Sequence, residues 1–161
     1  MKLSPAQQQV SNSDARFRCL VAGRRFGKSF LSINEIAKYA HQPKRNVIYV
    51  APTRQMAKTI IWDELKARLL KVRWVESINE SELTIRLRNG SKIMVRSGDN
   101  PDASRGLSLD AAIIDEAQGT RTMPSPVGTG LICLQTHCAC GLLQAGHMRP
   151  WSVEYTSPPR L

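Results

Sequence analysis

Short apolar runs alternate with segments of helical spacing over the first 118 residues of the chain. The runs Arg18–Val21, Asn46–Ala51 and Ala111–Ile114 are the pattern of buried strands, and Asn46–Ala51 is apolar on both faces, as in a central parallel strand. Segments with helical spacing lie between the strands, which is typical of crossover connections. The sequence therefore predicts an α/β fold: a three-layer sandwich around a mainly parallel sheet, incomplete at its C-terminal end.

Three segments are predicted to be helical. Pro5 suits the first turn of the first helix, with Ser4 as its N-cap. The second covers Phe30–Ala40, and the third is capped by Thr53. The apolar residues of the third recur at helical spacing: Met56, Ile60, Ile61, Leu65 and Leu69.

Leu83–Arg96 is predicted to form a hairpin. A three-residue loop, Arg88–Gly90, places Ile85 opposite Ile93 and gathers the apolar side chains on one face. A two-residue turn would divide them between the two faces. We therefore expect the three-residue loop, with Gly90 in the left-handed conformation.

The chain carries a net charge of +10, from 23 lysines and arginines against 13 acidic residues. Such an excess favours a polyanionic partner, nucleic acid first, and a basic protein without such a partner is the alternative. No apolar run is long enough to span a bilayer, and no apolar segment follows the first lysine as in a signal peptide. We expect a cytoplasmic protein with no membrane partner.

The stretch Ala22–Ser29, AGRRFGKS, ends like a phosphate-binding loop of the form G-x-x-x-x-G-K-[ST], with Ala22 in place of the first glycine. Gly27 lets the backbone approach a phosphate, and a helix starting near Lys28 directs its dipole at the same charge. Lys28 is predicted to reach the outer phosphates and the Ser29 hydroxyl to bind Mg²⁺. The predicted nucleotide-binding residues of this loop are Gly23, Arg24, Arg25, Phe26, Gly27, Lys28 and Ser29.

A second motif, Ile113–Glu116, supplies the partner of this loop. An apolar strand delivers Asp115 to the Mg²⁺ that Ser29 also binds, and Glu116 activates the attacking water. The two motifs together predict hydrolysis of a nucleoside triphosphate, with ATP and Mg²⁺ as cofactors. The charge that develops on the γ-phosphate also needs a cation, and the candidates are Arg24, Arg25 and Arg105.

In their order along the chain, these motifs resemble the N-terminal ATPase domain of the large terminase subunit of tailed bacteriophages. The resemblance covers Leu3 to Gln118 and rests on SPAQQQ, AGRRFGKS, VIYVAPTRQMAKTIIWDEL, NPDASRGLSLD and AAIIDEAQ. It implies that Gln7 contacts adenine, where a solvated helix glutamine is the alternative. It also implies that Arg105 acts as an arginine finger.

For the whole chain, the resemblance implies a P-loop ATPase that powers the packaging of viral double-stranded DNA. The implied partners are the portal protein, the small terminase subunit and further copies of the chain in a ring. The implied place of action is the host cytoplasm, at the procapsid portal.

The composition changes after Gln118. Residues 119–161 hold three of the 23 basic and one of the 13 acidic residues, with five prolines and three cysteines. They show no convincing period, so we expect no packed continuation of the sheet there, as in a frameshifted or disordered segment. The predicted domains are 1–118, the N-terminal part of a P-loop ATPase domain, and 119–161, an atypical tail. The C-x-C pair beside His137 lacks the paired spacing of a structural zinc site.

The resemblance leaves two alternatives open. The family's nuclease domain is not recognisable in the sequence, so the chain is expected to be truncated, and an inactive nucleotide-binding remnant of a prophage gene is one alternative. The other is a superfamily 2 helicase-like ATPase, which shares the Asp-Glu pair and a motif like Pro52–Arg54. A helicase would carry a second domain of the same kind, for which this chain has no room.

Overall fold

The structure is a computed structural model that describes residues 2–15, 17–23, 25–98, 108–115 and 130–135. The helices in these ranges are α1 (Pro5–Ser11), α2 (Lys28–Ala40), α3 (Arg54–Ala57) and α4 (Asp63–Lys71), with a π-helical segment (Lys58–Trp62) between the last two. The strands are β1 (Phe17–Val21), β2 (Asn46–Ala51), β3 (Val75–Asn79), β4 (Thr84–Leu87), β5 (Lys92–Ser97), β6 (Ala111–Asp115) and β7 (Gly130–Gln135).

The strands form one sheet in the order β1-β7-β6-β2-β5-β4-β3. Strands β1, β7, β6, β2 and β5 run parallel, whereas β4 and β3 are antiparallel to their neighbours. The α/β prediction is confirmed, but the sheet is mixed. The reason is the Arg88–Gly90 loop, because so short a connection can join only antiparallel neighbours.

Strand β7 corrects the expectation that the sheet stops at Asp115. Gly130–Gln135 pairs in parallel with β1 on one side and β6 on the other. This part of the 119–161 segment therefore continues the sheet, contrary to the expectation. The rest of that segment lies outside the described residues, and the domain boundary at residue 118 stays a prediction.

The hairpin has the expected register. Ile85 is paired with Ile93, and the Leu87 amide donates to the Ser91 carbonyl over 2.9 Å, which leaves a three-residue loop. Gly90 has φ = +81°, the left-handed conformation predicted for it. Strand β3, which the sequence did not predict, extends this antiparallel part as an edge strand.

The third predicted helix contains a π-helical segment. Thr53 caps it as expected, since its hydroxyl accepts from the Met56 amide. The wider turn at Lys58–Trp62 changes the buried side, so that Ala57 and Trp62 face the core while Met56 is 39% exposed. The predicted apolar stripe was thus wrong at Met56, because the sequence spacing assumed a regular 3.6-residue turn.

Alternate residues of the central strands face two buried clusters. On β2, Val47 and Tyr49 belong to the first cluster, with side chains from every described helix. Ile48 and Val50 belong to the second, which contains no helical residue of the described ranges. The described helices therefore cover one face of the sheet. Cys19 on β1 is half-buried against the second cluster.

Candidate nucleotide-binding site

The predicted phosphate loop connects β1 to α2 at the carboxyl edge of the parallel strands. Gly27 directly precedes α2 with φ = +85° and ψ = +37°, and its carbonyl accepts the first helical bond from the Leu31 amide over 3.0 Å. Arg25 is also left-handed, with φ = +68°. Alternation of left- and right-handed residues turns successive amide groups to one side, which is the geometry of an anion-binding nest. The α2 dipole adds positive potential at the same place.

The side chain of Gln7 on α1 forms a hydrogen bond to this loop. Its Nε2 donates to the Phe26 carbonyl over 2.8 Å, and its Oε1 accepts from the Ser4 amide over 2.9 Å. The second bond is half of a capping box, because the Ser4 hydroxyl accepts in turn from the Gln7 amide. Gln7 is only 6% exposed, so the alternative of a solvated helix glutamine is wrong.

The side chain of Gln7 also leaves little space at Gly27. A Cβ atom at Gly27 would lie 2.7 Å from Gln7 Nε2. The left-handed φ already disfavours any L side chain there. Glycine at this position therefore serves both the turn and the contact with α1.

The Lys28 side chain joins the two ends of the loop. Its Nζ donates to the Ala22 carbonyl over 3.0 Å, and Ala22 occupies the position of the motif's first glycine. Ala22 is buried and Gly23 is exposed, so the loop leaves the sheet between these two residues. The two ends of the loop are thus joined by the lysine that is predicted to contact phosphate.

A buried ion pair lies beneath the loop. Arg18 on β1 donates through Nη2 to Glu35 Oε2 on α2 over 2.9 Å, and the two side chains are 4% and 1% exposed. The same guanidinium donates to Tyr39 Oη over 2.7 Å and to the Val10 carbonyl at the end of α1 over 2.8 Å. Arg18 therefore joins the strand before the loop, the helix after it and the helix that carries Gln7.

Asp115, the predicted metal ligand, ends β6 and is 5% exposed. Tyr49 on the neighbouring strand β2 donates from Oη to Asp115 Oδ2 over 2.8 Å. This bond fixes one carboxylate oxygen and the rotamer of the side chain. A carboxylate and the half-buried Ser29 hydroxyl are oxygen donors of the kind that Mg²⁺ prefers.

The loop and Asp115 face the same edge of the sheet, with one strand between them. Val21, the last residue of β1, is paired with Gln135 of β7, and Leu134 is paired with Asp115. Two strand spacings, about 10 Å, thus separate the ends of β1 and β6. A triphosphate and its metal ion are of the size needed to fill such an interval.

We expect Tyr49→Phe to weaken metal binding while leaving the fold intact. Phenylalanine fills the same buried space but gives Asp115 no hydrogen bond. Loss of such a supporting bond to a metal ligand costs about 10- to 100-fold in metal affinity. The measurement is an Mg²⁺ titration of the binding of a fluorescent ATP analogue, with metal-free binding as the internal control. An unchanged Mg²⁺ midpoint would show that Tyr49 does not position Asp115.

Three of the predicted site residues, Arg24, Arg105 and Glu116, lie outside the described residues, and their roles stay predictions. The sequence reading missed the contacts of Tyr49 and of the Arg18–Glu35 pair. A signal was present, since Arg18 interrupts an apolar strand and Glu35 lies within the apolar stripe of α2. Opposite charges in two buried elements indicate that the two side chains form an ion pair, because an unpaired buried charge is costly.

The described ranges contain no group of three or more His, Cys, Asp or Glu side chains that could hold a metal ion by themselves. A site formed by one carboxylate, one hydroxyl and substrate phosphates needs no such group. In the same ranges, no helix has the length and apolar character required to cross a bilayer.

Comparison with known families gives a match over residues 19–121 to the N-terminal part of the terminase large subunit of the T4likevirus type. No curated protein sequence matches the chain.

Among solved structures, the large terminase ATPase domain of Thermus phage P74-26 matches with a TM-score of 0.70 and 25% identity. This match covers 84% of the chain and 66% of that domain, slightly less than two thirds of its length. The large terminase of bacteriophage HK97 has a TM-score of 0.64 and 18% identity over 84% of the chain and 33% of its own length. The large terminase of another thermophilic bacteriophage, in complex with ATP-gamma-S, has a TM-score of 0.61 and 18% identity over 83% of the chain and 38% of its own length.

Proposed function

The chain belongs to the terminase large subunit family, and from that premise we propose that it is an ATP-hydrolysing motor domain that powers the packaging of phage DNA. The family match covers residues 19–121, which include both nucleotide motifs. The observation that carries the proposal is the left-handed Gly27 at the start of α2, on the same edge of the sheet as the buried carboxylate of Asp115. This edge is where parallel α/β sheets bind their ligands.

Binding of ATP is assigned to the loop. The amides of Gly23–Ser29, including those of Arg24, Arg25 and Phe26, surround the phosphates, and Lys28 Nζ turns from the Ala22 carbonyl to the outer phosphates. Gln7 adds a contact to adenine at the far side of the loop. Gln7 already lies next to the loop before a nucleotide binds, because its Nε2 donates to the Phe26 carbonyl.

Hydrolysis is assigned to groups at the end of β6. Ser29 and Asp115 hold Mg²⁺, which when bound neutralises charge on the phosphate oxygens. Glu116, the next residue along the chain, orients the attacking water and accepts its proton. Arg105 supplies positive charge to the γ-phosphate from its own or a neighbouring subunit, and Arg24 and Arg25 are the alternatives within the loop.

The wider assignments follow from family membership. We assign double-stranded DNA as the polymer that is moved, in line with the +10 net charge. The portal protein, the small terminase subunit and further copies of the chain in a ring are its partners, and the host cytoplasm at the procapsid portal is its place of action. We assign the fold to the P-loop three-layer sandwiches, because strands β2 and β6 are buried on both faces.

The two alternatives have less support. The helicase-like ATPase shares the Asp-Glu pair, but it is not the family that the chain matches. The remnant alternative drew on the atypical composition of residues 119–161, and β7 within that segment pairs with both β1 and β6.

We expect Lys28→Ala to reduce the affinity for Mg-ATP by about 10- to 100-fold, since a hydrogen bond to a charged group contributes about 1.5–3 kcal/mol. The measurement is equilibrium binding of a fluorescent ATP analogue. Lys71→Ala is the matched control, because it removes an exposed lysine at the end of α4. Equal affinities for the wild type and Lys28→Ala would overturn the nucleotide site.

A further inference from the structure

A second basic site lies at the carboxyl edge of the sheet, away from the phosphate loop. Arg54 at the start of α3 and Arg96 near the end of β5 line a cavity of about 550 Å³. The remaining lining residues come from the turn between β3 and β4 and from β5: Ser81, Glu82, Leu83, Val95 and Ser97. Strand β5 is four strand spacings from β1, about 19 Å, so this cavity is distinct from the nucleotide loop.

Both arginines are held in place by backbone carbonyls. Arg54 donates to the Ser81 carbonyl, and Arg96 donates to the Glu82 carbonyl and to Thr84 Oγ1. The turn they hold is strained, because Leu83 is buried and has φ = +48°. A non-glycine residue keeps such a conformation only where its surroundings impose it. The turn and the two guanidinium groups thus form one pre-arranged unit.

The charge of this unit is not neutralised by direct pairing. Within the described ranges neither arginine forms a salt bridge, whereas Lys66 and Arg68 of α4 are paired with carboxylates. Burial lowers the pKa of Arg96, the Glu82 carboxylate opposes this effect, and the positive charge of Arg54 lowers the pKa further. Glu82 also lines the cavity and has a larger electrostatic effect on Arg96 than Arg54 has, but one carboxylate offsets only one of the two guanidinium charges. The cavity therefore keeps an excess of positive charge, which an anion would neutralise.

We propose that this cavity binds a phosphate of the DNA backbone, with Arg54 and Arg96 as its two cationic ligands. Planar guanidinium groups with several donors match the oxygens of a phosphate. Phosphodiesters of a long duplex pass the protein in series, and a fixed pair of cations holds one of them without reading its base. The inference rests on the proposed function only for the identity of the polymer.

The test is the salt dependence of duplex binding by the full chain, measured by fluorescence anisotropy of a labelled DNA. Each phosphate contact contributes about 0.9 to the slope of log affinity against log salt. We expect Arg54→Gln and Arg96→Gln each to reduce the slope by about one, with a loss of affinity of about fivefold to tenfold at 0.1 M salt. Arg86→Gln, an exposed arginine of β4, is the matched control. Slopes equal to that of the control would overturn the proposal.

A second measurement uses the wild type and does not depend on how the variants fold. A dicarbonyl reagent that modifies arginine, followed by mass spectrometry, should find Arg54 and Arg96 protected by duplex DNA and not by ATP. Protection by ATP alone, or by neither, would overturn the proposal. Lys28→Ala should lose ATP affinity and keep the DNA slope, so the failure of the nucleotide site and the failure of this site give different results.

Discussion

Glu116→Gln should bind Mg-ATP with nearly unchanged affinity and hydrolyse it about 10²- to 10⁴-fold more slowly. Glutamine keeps the shape and a hydrogen-bonding oxygen but has no basic carboxylate to accept the proton of the attacking water. Hydrolysis is measured as phosphate release at saturating Mg-ATP, and binding is measured separately with a fluorescent analogue. The prediction thus separates the base from the residues that hold the nucleotide.

Glu76→Gln is the matched control for this variant, because it makes the same change at an exposed position of the edge strand β3. We expect its turnover to equal that of the wild type. If Glu116→Gln hydrolysed ATP as fast as this control, Glu116 would have no part in the chemical step. A loss of binding together with turnover would place Glu116 among the nucleotide ligands instead.

Glu35→Ala should lower the free energy of unfolding by about 3–5 kcal/mol. The change leaves the Arg18 guanidinium buried without its counter-charge. Within the described residues, Arg18 Nε and Glu35 Oε1 have no hydrogen-bond partner, so few other contacts compensate for the loss of the ion pair. Urea denaturation measures the effect, as a lower midpoint with an unchanged slope.

Glu64→Ala provides the control for this variant. Glu64 pairs with Arg68 one helical turn away, and its side chain is 55% exposed. A surface pair of this kind contributes about 0.3–0.5 kcal/mol. The double variant Arg18→Met/Glu35→Leu should recover much of the loss, since it removes both buried charges. Equal effects of Glu35→Ala and Glu64→Ala would show that water reaches the buried pair.

Local features of this fold could be predicted from the sequence because neighbouring residues determine them. The Ser4 cap, the Thr53 cap and the left-handed Gly90 each depend on a few adjacent residues, and each is present in the structure. The hairpin register followed from the apolar side chains of two adjacent strands. The start of α2 at Lys28 is another example, since the loop motif itself places a helix there.

Contacts between distant segments could not be predicted in the same way. The composition of residues 119–161 obscured a six-residue strand, although its apolar run Leu131–Leu134 is a strand signal by itself. The bond from Tyr49 to Asp115 joins residues 66 positions apart, and nothing near either residue indicates the other. The π-helical segment was missed because periodicity analysis assumes a constant turn.

The position of β7 has a consequence for the order in which the domain can fold. It is the last described strand in the chain, yet it lies between β1 and β6, which carry the two halves of the proposed nucleotide site. Its pairing with β1 closes a loop of more than 100 residues, so the contact order of the site is high and its assembly is slow. During synthesis, the edges of β1 and β6 that pair with β7 therefore stay unpaired until residue 135 has left the ribosome. The proposed site is the last part of the described sheet to become complete.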